Sequence, residues 1–137
     1  MKKNCFSKSV ALLLAVLLFA AMTVSASAET ISPRYTAIAS FSSALTISKD
    51  VIGNKTSCST KVTTDNSNYK IELTMELQKD GTTIKTWTET DNWVNSMSKT
   101  YYVSGGSEYV LFSTAKVYNA SGKLLETATM YSNYCSC

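Results

Sequence analysis

Cysteine is the most reactive residue type in this chain, and it occurs at positions 5, 58, 135 and 137. The chain contains no histidine, so Ser-His-Asp and Cys-His catalysis would lack their general base. The three later thiols, without a histidine beside them, make a poor zinc site. We therefore expect no bound metal and assign the cysteines to disulfide chemistry.

Carboxylates are the remaining candidates for catalysis. Asp65, Asp80 and Asp91 each lie at a turn, where aspartate is common because it bonds the neighbouring backbone. Sugar hydrolysis needs two acids held close together, and no spacing in this sequence places two acids side by side. Phosphate-binding, dinucleotide-binding and calcium-binding motifs are also missing from the sequence. We expect a protein that is not an enzyme and has no cofactor.

The first 28 residues have the three parts of a secretory signal peptide. Three lysines precede an apolar run from Val10 to Val24, and the small residues that follow end in an A-x-A site. We expect cleavage after Ala28 and a secreted, extracellular product. The apolar run has 15 residues, fewer than the roughly 20 of a spanning helix. An uncleaved membrane anchor is the alternative.

Removal of this segment makes the chain electrically neutral. Three of its 13 basic residues and none of its 10 acidic residues lie within residues 1–28, so the remainder carries ten of each. Nucleic-acid binding needs a clustered basic surface, and surface binding to anionic membranes favours basic amphipathic helices. We expect neither a nucleic-acid partner nor membrane contact after cleavage.

The rest of the chain has the pattern of one all-β domain. Residues 29–34 read as a flexible leader and residues 35–137 as the domain. Short alternating runs are separated by turns that contain all five glycines. Residues 70–78 alternate most strictly, and Lys79-Asp80-Gly81-Thr82 then gives a hairpin signal. About seven such strands predict an immunoglobulin-like or fibronectin-like β-sandwich.

One tyrosine has a specific place in such a sandwich. The segment Gly105-Gly106-Ser107-Glu108-Tyr109 resembles the entry to the sixth strand, where a tyrosine corner bonds backbone a few residues upstream. Tyr109 is our candidate, with an ordinary core tyrosine as the alternative. Immunoglobulin domains carry a cysteine two residues later, where this chain has Leu111. The pattern thus predicts the architecture and not an antibody-type domain.

Several short motifs also resemble those of a known group of proteins. Leu77-Gln78-Lys79-Asp80-Gly81, then Ile84-Lys85-Thr86-Trp87, a Gly-x-x-Tyr stretch and Val117-Tyr118 are similar to small secreted immunoglobulin-like proteins of Gram-positive bacteria. The similarity spans about residues 38 to 128. That family is uncharacterised, so the resemblance implies a fold and a compartment and no activity.

Three cysteines remain after cleavage, and an oxidising exterior favours their pairing. In a sandwich with strands running up and down, the start of the second strand and the end of the last lie at one end. We therefore predict a disulfide between Cys58 and Cys135, with Cys137 as the alternative partner. It would stabilise the fold by roughly 4–5 kcal/mol in the chain-entropy model. The third thiol then stays free or links two chains; a strained, reducible Cys135–Cys137 bond is the runner-up.

Two tryptophans are the candidate contact residues. Aromatic side chains on a sheet face or loop can stack on sugar rings or anchor a protein partner. For Trp87 the alternative is packing between strands. Trp93 lies in a polar segment, residues 91–96, that reads as a loop between strands. A protruding Trp93 would be the first choice for a contact.

These features favour a secreted, non-catalytic module that binds a protein or a glycan. A small secreted antagonist resembling a bacteriocin is one alternative. A structural protein, joined to its copies through the spare cysteine or an exposed edge strand, is the other.

Overall fold

Alternation of side chains buries one face of nearly every strand. The computed structural model describes residues 34–137, which form one unit with eight strands and no helix. The strands are β1 (Ile38–Lys49), β2 (Asn54–Thr64), β3 (Lys70–Lys79), β4 (Thr82–Asn92), β5 (Val94–Val103), β6 (Glu108–Tyr118), β7 (Leu124–Tyr131) and the short β8 (Cys135–Ser136). The predicted all-β class and the number of main strands are confirmed.

The strands form two antiparallel sheets. The smaller sheet has the order β1-β2-β5, and the larger sheet has the order β4-β3-β6-β7. β8 pairs with the first two residues of β6. β6 lies between β3 and β7, which fits its apolar residues on both faces. The chain therefore crosses between the sheets at the β2–β3, β4–β5 and β5–β6 connections.

The core lies between the two inner faces. It consists of Leu45, Cys58, Val62 and Met97 from the smaller sheet, and Ile71, Leu73, Met75, Leu77, Tyr109, Leu111, Ala115 and Val117 from the larger. This is the packing that the strict alternation of residues 70–78 predicts.

A group of hydroxyls joins the sheets inside this apolar core. Thr60 of β2 and Ser113 of β6 are buried, and their oxygens lie 2.7 Å apart. Ser43 of β1 lies within 3.3 Å of both oxygens. Because each hydroxyl both donates and accepts, the three satisfy one another without water.

Side chains also close the open edge of β1. The carboxylate of Glu126 accepts the backbone N–H groups of Thr36, Ala37 and Ile38 at 2.8–3.2 Å. Farther along, the amide of Asn133 bonds both the N–H and the C=O of Leu45. These contacts attach the edge strand to the C-terminal part of the chain and cover unpaired backbone groups.

Turn chemistry agrees with the structure at the β3–β4 hairpin. Lys79 pairs with Thr82, and Asp80 and Gly81 between them have φ of 47° and 81°. Two positive φ values define the type I′ turn that Asp-Gly favours. The first strand contains an irregularity, a register shift between Ile38 and Ser40.

The predicted signal peptide, residues 1–28 with its cleavage site after Ala28, lies outside the described residues, as does nearly all of the leader 29–34. Within residues 34–137 there is no helix long and apolar enough to cross a membrane.

Candidate binding site

Three connections meet at one end of the sandwich, which we call the loop end. They are residues 65–69, residue 93 and residues 119–123. Because consecutive strands are antiparallel, every second connection lies at the same end. The register confirms this placement, since Lys70 at the start of β3 pairs with both Asn92 and Tyr118.

Trp93 is the most exposed large aromatic residue at the loop end. It is the single residue between β4 and β5, and its side chain is 54% exposed. Its φ is 62°, in the left-handed region that bulky residues rarely adopt. Among residues 34–137 the other non-glycine residue with a positive φ is Asp80, whose turn requires it.

Two backbone hydrogen bonds hold Trp93 in this conformation. Its N–H donates to the Tyr69 carbonyl at 2.9 Å, and its carbonyl accepts the Thr64 N–H at 2.9 Å. The Thr64 hydroxyl lies 3.1 Å from the same carbonyl and 3.0 Å from that of Asn66. The indole is therefore presented from a backbone that is fixed on both sides, by the end of β2 and by the connection 65–69. The side chains of Asn92, which precedes Trp93, and of Asn68, in that connection, are exposed.

The loop predicted for residues 91–96 is wrong in extent. β4 continues to Asn92 and β5 begins at Val94. Polar residues enter the strand because Asn95, 2% exposed, is satisfied internally. Its Nδ2 donates to the carbonyls of Ile71 at 3.2 Å and Glu89 at 3.1 Å. A buried side-chain amide whose NH₂ group is hydrogen-bonded can occupy an inward-facing strand position, as an apolar residue does.

Trp87 lies at the side of the sandwich where β4, an edge strand of the larger sheet, meets β5, an edge strand of the smaller sheet. It is partly buried, packs against the core and pairs with Met75 across β3 and β4. Its ring meets Tyr101 of β5 edge to face, with centroids 6.4 Å apart. This placement gives Trp87 a packing role that joins the edges of the two sheets.

Tyr109 makes the kind of hydrogen bond to upstream backbone that defines a tyrosine corner. Its ring is buried, and its hydroxyl donates to the Ser104 carbonyl at 2.7 Å, five residues upstream. The bond fixes the β5–β6 connection at the end of the sandwich opposite the loop end. It also satisfies a phenol group that would otherwise be buried without a partner.

Tyr109→Phe should lower the free energy of unfolding by about 1–2 kcal/mol, because the Ser104 carbonyl loses its phenol donor. Urea denaturation measures the change. The control is Tyr134→Phe, which removes the same group from a side chain that is 62% exposed and should change stability by less than about 0.5 kcal/mol. Equal effects in the two variants would contradict a structural role for the Tyr109 hydroxyl.

The cysteines do not form the predicted bridge. Cys58, Cys135 and Cys137 are all free thiols in this structure. Leu45 is the cross-strand partner of Cys58, yet its N–H and C=O point away from β2 to Asn133. The Cys135 thiol contacts that same carbonyl at 3.2 Å. Leu45 of β1 therefore lies between Cys58 and the Cys135 thiol.

Each thiol has a different environment. Burial raises the pKa of the Cys58 thiol, while a bond to the Thr56 hydroxyl opposes this change. A thiol that resists ionisation is a poor nucleophile, so Cys58 acts as a small core residue. Cys137 is exposed, and its sulfur lies 3.4 Å from the Ser104 carbonyl.

The β1–β2 turn, at the end opposite the loop end, is organised by one carboxylate. Asp50 accepts the backbone N–H groups of Ile52 at 2.8 Å and Gly53 at 3.1 Å, and the Tyr102 hydroxyl at 2.8 Å. The hydrogen bond from the Ile52 N–H and, to a smaller extent, the one from the Tyr102 hydroxyl lower the pKa of Asp50 below its usual value of 3.8. The same contact raises the pKa of Tyr102. Val51 and Ile52 at the tip are exposed.

This turn should loosen as the Asp50 carboxylate becomes protonated in acid. The pKa of Asp50 is lower in the folded state, so its bonds contribute stability above the unfolded value and lose it as pH falls through the folded pKa. The amide shift of Ile52, followed by NMR, should titrate with a midpoint below 3.8. In Asp50→Asn that titration should disappear. A midpoint at or above 3.8 would contradict the bonding.

Metal-binding groups do not converge in the part of the chain that the structure describes. Residues 34–137 contain no group of three or more acidic or thiol side chains that could hold a metal ion. A shallow depression of about 220 Å³ on the outer face of the smaller sheet is lined mainly by serines, including Ser42, Ser59 and Ser98. Lys61 is the one charged side chain in this lining.

A further aromatic pair, half-buried Phe112 and exposed Tyr131, lies far from both tryptophans in the sequence. Phe112 of β6 and Tyr131 of β7 are cross-strand partners with ring centroids 4.7 Å apart. Alternation alone places Phe112 on the opposite face from Leu111. Its pairing with Tyr131 depends on the β6–β7 register, which the sequence pattern did not reveal.

Comparisons with known proteins add no assignment to this geometry. No protein-family model matches the chain, and neither the curated proteins nor the solved structures gave a match. The functional interpretation therefore depends on the exposed, conformationally fixed Trp93 and on the surfaces around it.

Proposed function

We propose that this protein is an exported, non-catalytic binding module that captures a protein or glycan partner with its loop end, and that Trp93 is the main contact. One observation carries the proposal: a large aromatic side chain is 54% exposed on a left-handed backbone. Strained backbone of this kind is concentrated at functional sites.

The energetics favour a functional reason for this arrangement. A non-glycine residue in the left-handed region costs of order 1–3 kcal/mol, and glycine or asparagine would avoid most of that cost. The bonds from Tyr69 and Thr64 offset the cost and immobilise the backbone. An aromatic anchor that is already ordered loses little entropy on binding. Tryptophan is also the residue type most enriched at binding hot spots.

The strand order supports the immunoglobulin-like or fibronectin-like kind of sandwich that we propose. One sheet carries the first, second and fifth strands, and the other carries the fourth, third, sixth and seventh. The Tyr109 bond to Ser104 has the form of a tyrosine corner. In immunoglobulin variable domains, loops clustered at one end of the sandwich recognise the partner.

Export supports a role outside the cell. The signal-peptide pattern of residues 1–28 predicts secretion, and the remaining chain carries equal numbers of acidic and basic residues. Recognition by a neutral module would depend on shape, stacking and hydrogen bonds more than on charge.

Glycan arrays and pull-downs from culture medium and cell walls test the proposal. Trp93→Ala should lose the captured partner, while Tyr134→Ala, which removes an equally exposed aromatic side chain from the C-terminal segment, should retain it. Capture that survives Trp93→Ala unchanged would overturn the assignment of the loop end.

A further inference from the structure

The outer face of the larger sheet carries a row of four threonines, one on each main strand. Thr74 of β3 pairs with Thr88 of β4 and with Thr114 of β6, and Thr114 pairs with Thr129 of β7. Alternation with the buried Leu73 and Met75 points these side chains outward. The oxygens of Thr74 and Thr88 lie 3.0 Å apart. At the usual strand spacing, the row is about 14 Å long.

The row of residues next to the threonines contains two aromatic side chains. The next row toward the end opposite the loop end contains Thr86, Glu76, Phe112 and Tyr131 in strand order. Tyr131 is 56% exposed and packs against Phe112 with an angle of 38° between the rings. Half of this row is therefore aromatic, and the other half offers a hydroxyl and a carboxylate.

The charges on the face nearly cancel. On the other side of the threonine row, Lys116 forms an ion pair with Glu72 at 3.3 Å. Glu76 is then the one remaining charge in these three rows, and the Thr83 hydroxyl lies 3.4 Å from its carboxylate. A polyanion such as nucleic acid would meet no positive surface here.

We propose that this face is a second binding site, and that its ligand is a neutral, linear, β-linked polysaccharide lying across the strands. A sugar ring has an apolar face that stacks on an aromatic ring and hydroxyls that both donate and accept. Threonine hydroxyls have the same dual capacity. The repeat of an extended sugar chain is close to the strand spacing, so successive sugars can meet successive threonines.

The arrangement fits a sugar chain better than a protein surface. Protein hot spots lie at the centre of an interface, where a surrounding rim excludes water. Here the apolar pair lies to one side of the face, on β6 and β7. The centre is a line of threonine hydroxyls, exposed at Thr88 and Thr129 and half-buried at Thr74 and Thr114. Hydrogen bonds to those hydroxyls would be shared with water, which suits a polymer with many weak contacts.

Retention on insoluble cellulose and chitin powders tests the site, using protein produced from the full-length sequence. Wild type should bind one of the two polymers, and Tyr131→Thr should weaken binding between about threefold and tenfold. Tyr131→Phe keeps the ring and should bind nearly as well as wild type. Retention should persist at about 0.5 M salt, where exposed charges are screened.

Two further variants keep the test decisive. Tyr102→Thr makes the same change on the outer face of the other sheet, at a side chain that is 42% exposed, and should leave retention unchanged. Thr74→Val with Thr114→Val removes two hydroxyls without altering shape or strand preference, and should also weaken binding. Absence of retention on both polymers, or equal loss in Tyr131→Thr and Tyr102→Thr, would overturn the proposal.

Discussion

Trp93→Gly is expected to be more stable than Trp93→Ala by about 1 kcal/mol, and both variants are expected to lose partner binding. Both substitutions remove the indole, so their difference isolates the backbone. Alanine keeps the steric cost of a left-handed residue, whereas glycine does not. At an ordinary strand position the order would be reversed, because glycine has more conformational entropy to lose. Urea denaturation of the two variants measures the difference.

The binding part of this prediction has the larger effect. Removal of a hot-spot tryptophan costs 2 kcal/mol or more, which is a loss of about thirtyfold or greater in affinity. Trp93→Phe keeps an aromatic ring on the same backbone and should recover part of that affinity. Trp93→Ala being as stable as Trp93→Gly would show that the residue is not held at its φ of 62°. Unchanged affinity in Trp93→Ala would show that the indole makes no contact.

Asn95→Ala is expected to destabilise the domain by about 2–3 kcal/mol. The amide of Asn95 is the buried link between β5, at the edge of the smaller sheet, and two carbonyls of the larger sheet, those of Ile71 and Glu89. Carbonyls only accept hydrogen bonds, so the NH₂ group must face them. Alanine leaves a small cavity and removes a donor from both buried acceptors. Urea denaturation gives the change in the free energy of unfolding.

Asn95→Asp is a more specific test of these bonds. Aspartate has the shape of asparagine, but an acceptor oxygen replaces the NH₂ donor. An ionised carboxylate would face two carbonyl oxygens in a site that is 2% exposed, and a buried charge without a partner costs about 3–5 kcal/mol. A protonated carboxyl can donate one bond. Its pKa would therefore be raised in the folded state, and stability should recover as pH falls. Equal stability of this variant at neutral and acid pH would contradict the bonding of Asn95.

Local chemistry made the strands and turns predictable. The alternation of residues 70–78 identifies a half-buried strand. Successive side chains of a strand point to opposite faces, so the apolar residues at every second position share one face. Asp80-Gly81 identifies the hairpin because both residues tolerate a positive φ. These signals depend on neighbours in the chain, and they led to the correct all-β class and the correct number of main strands. The same local view placed residues 91–96 in a loop, because it could not anticipate a buried partner for Asn95.

Three features were decided by tertiary structure alone. Cys58 and Cys135 are kept apart because Leu45 lies between them, and that separation depends on how the C-terminal segment meets β1. The left-handed Trp93 depends on hydrogen bonds to Thr64, at the end of β2, and to Tyr69, in the connection that follows it.

The threonine row depends on the register of three strand pairs at once, since a slip of one residue would turn every side chain to the other face. The same pairings place Phe112 and Tyr131 beside that row. Alternation along one strand identifies the outward residues, but contacts between distant segments determine which of them become neighbours.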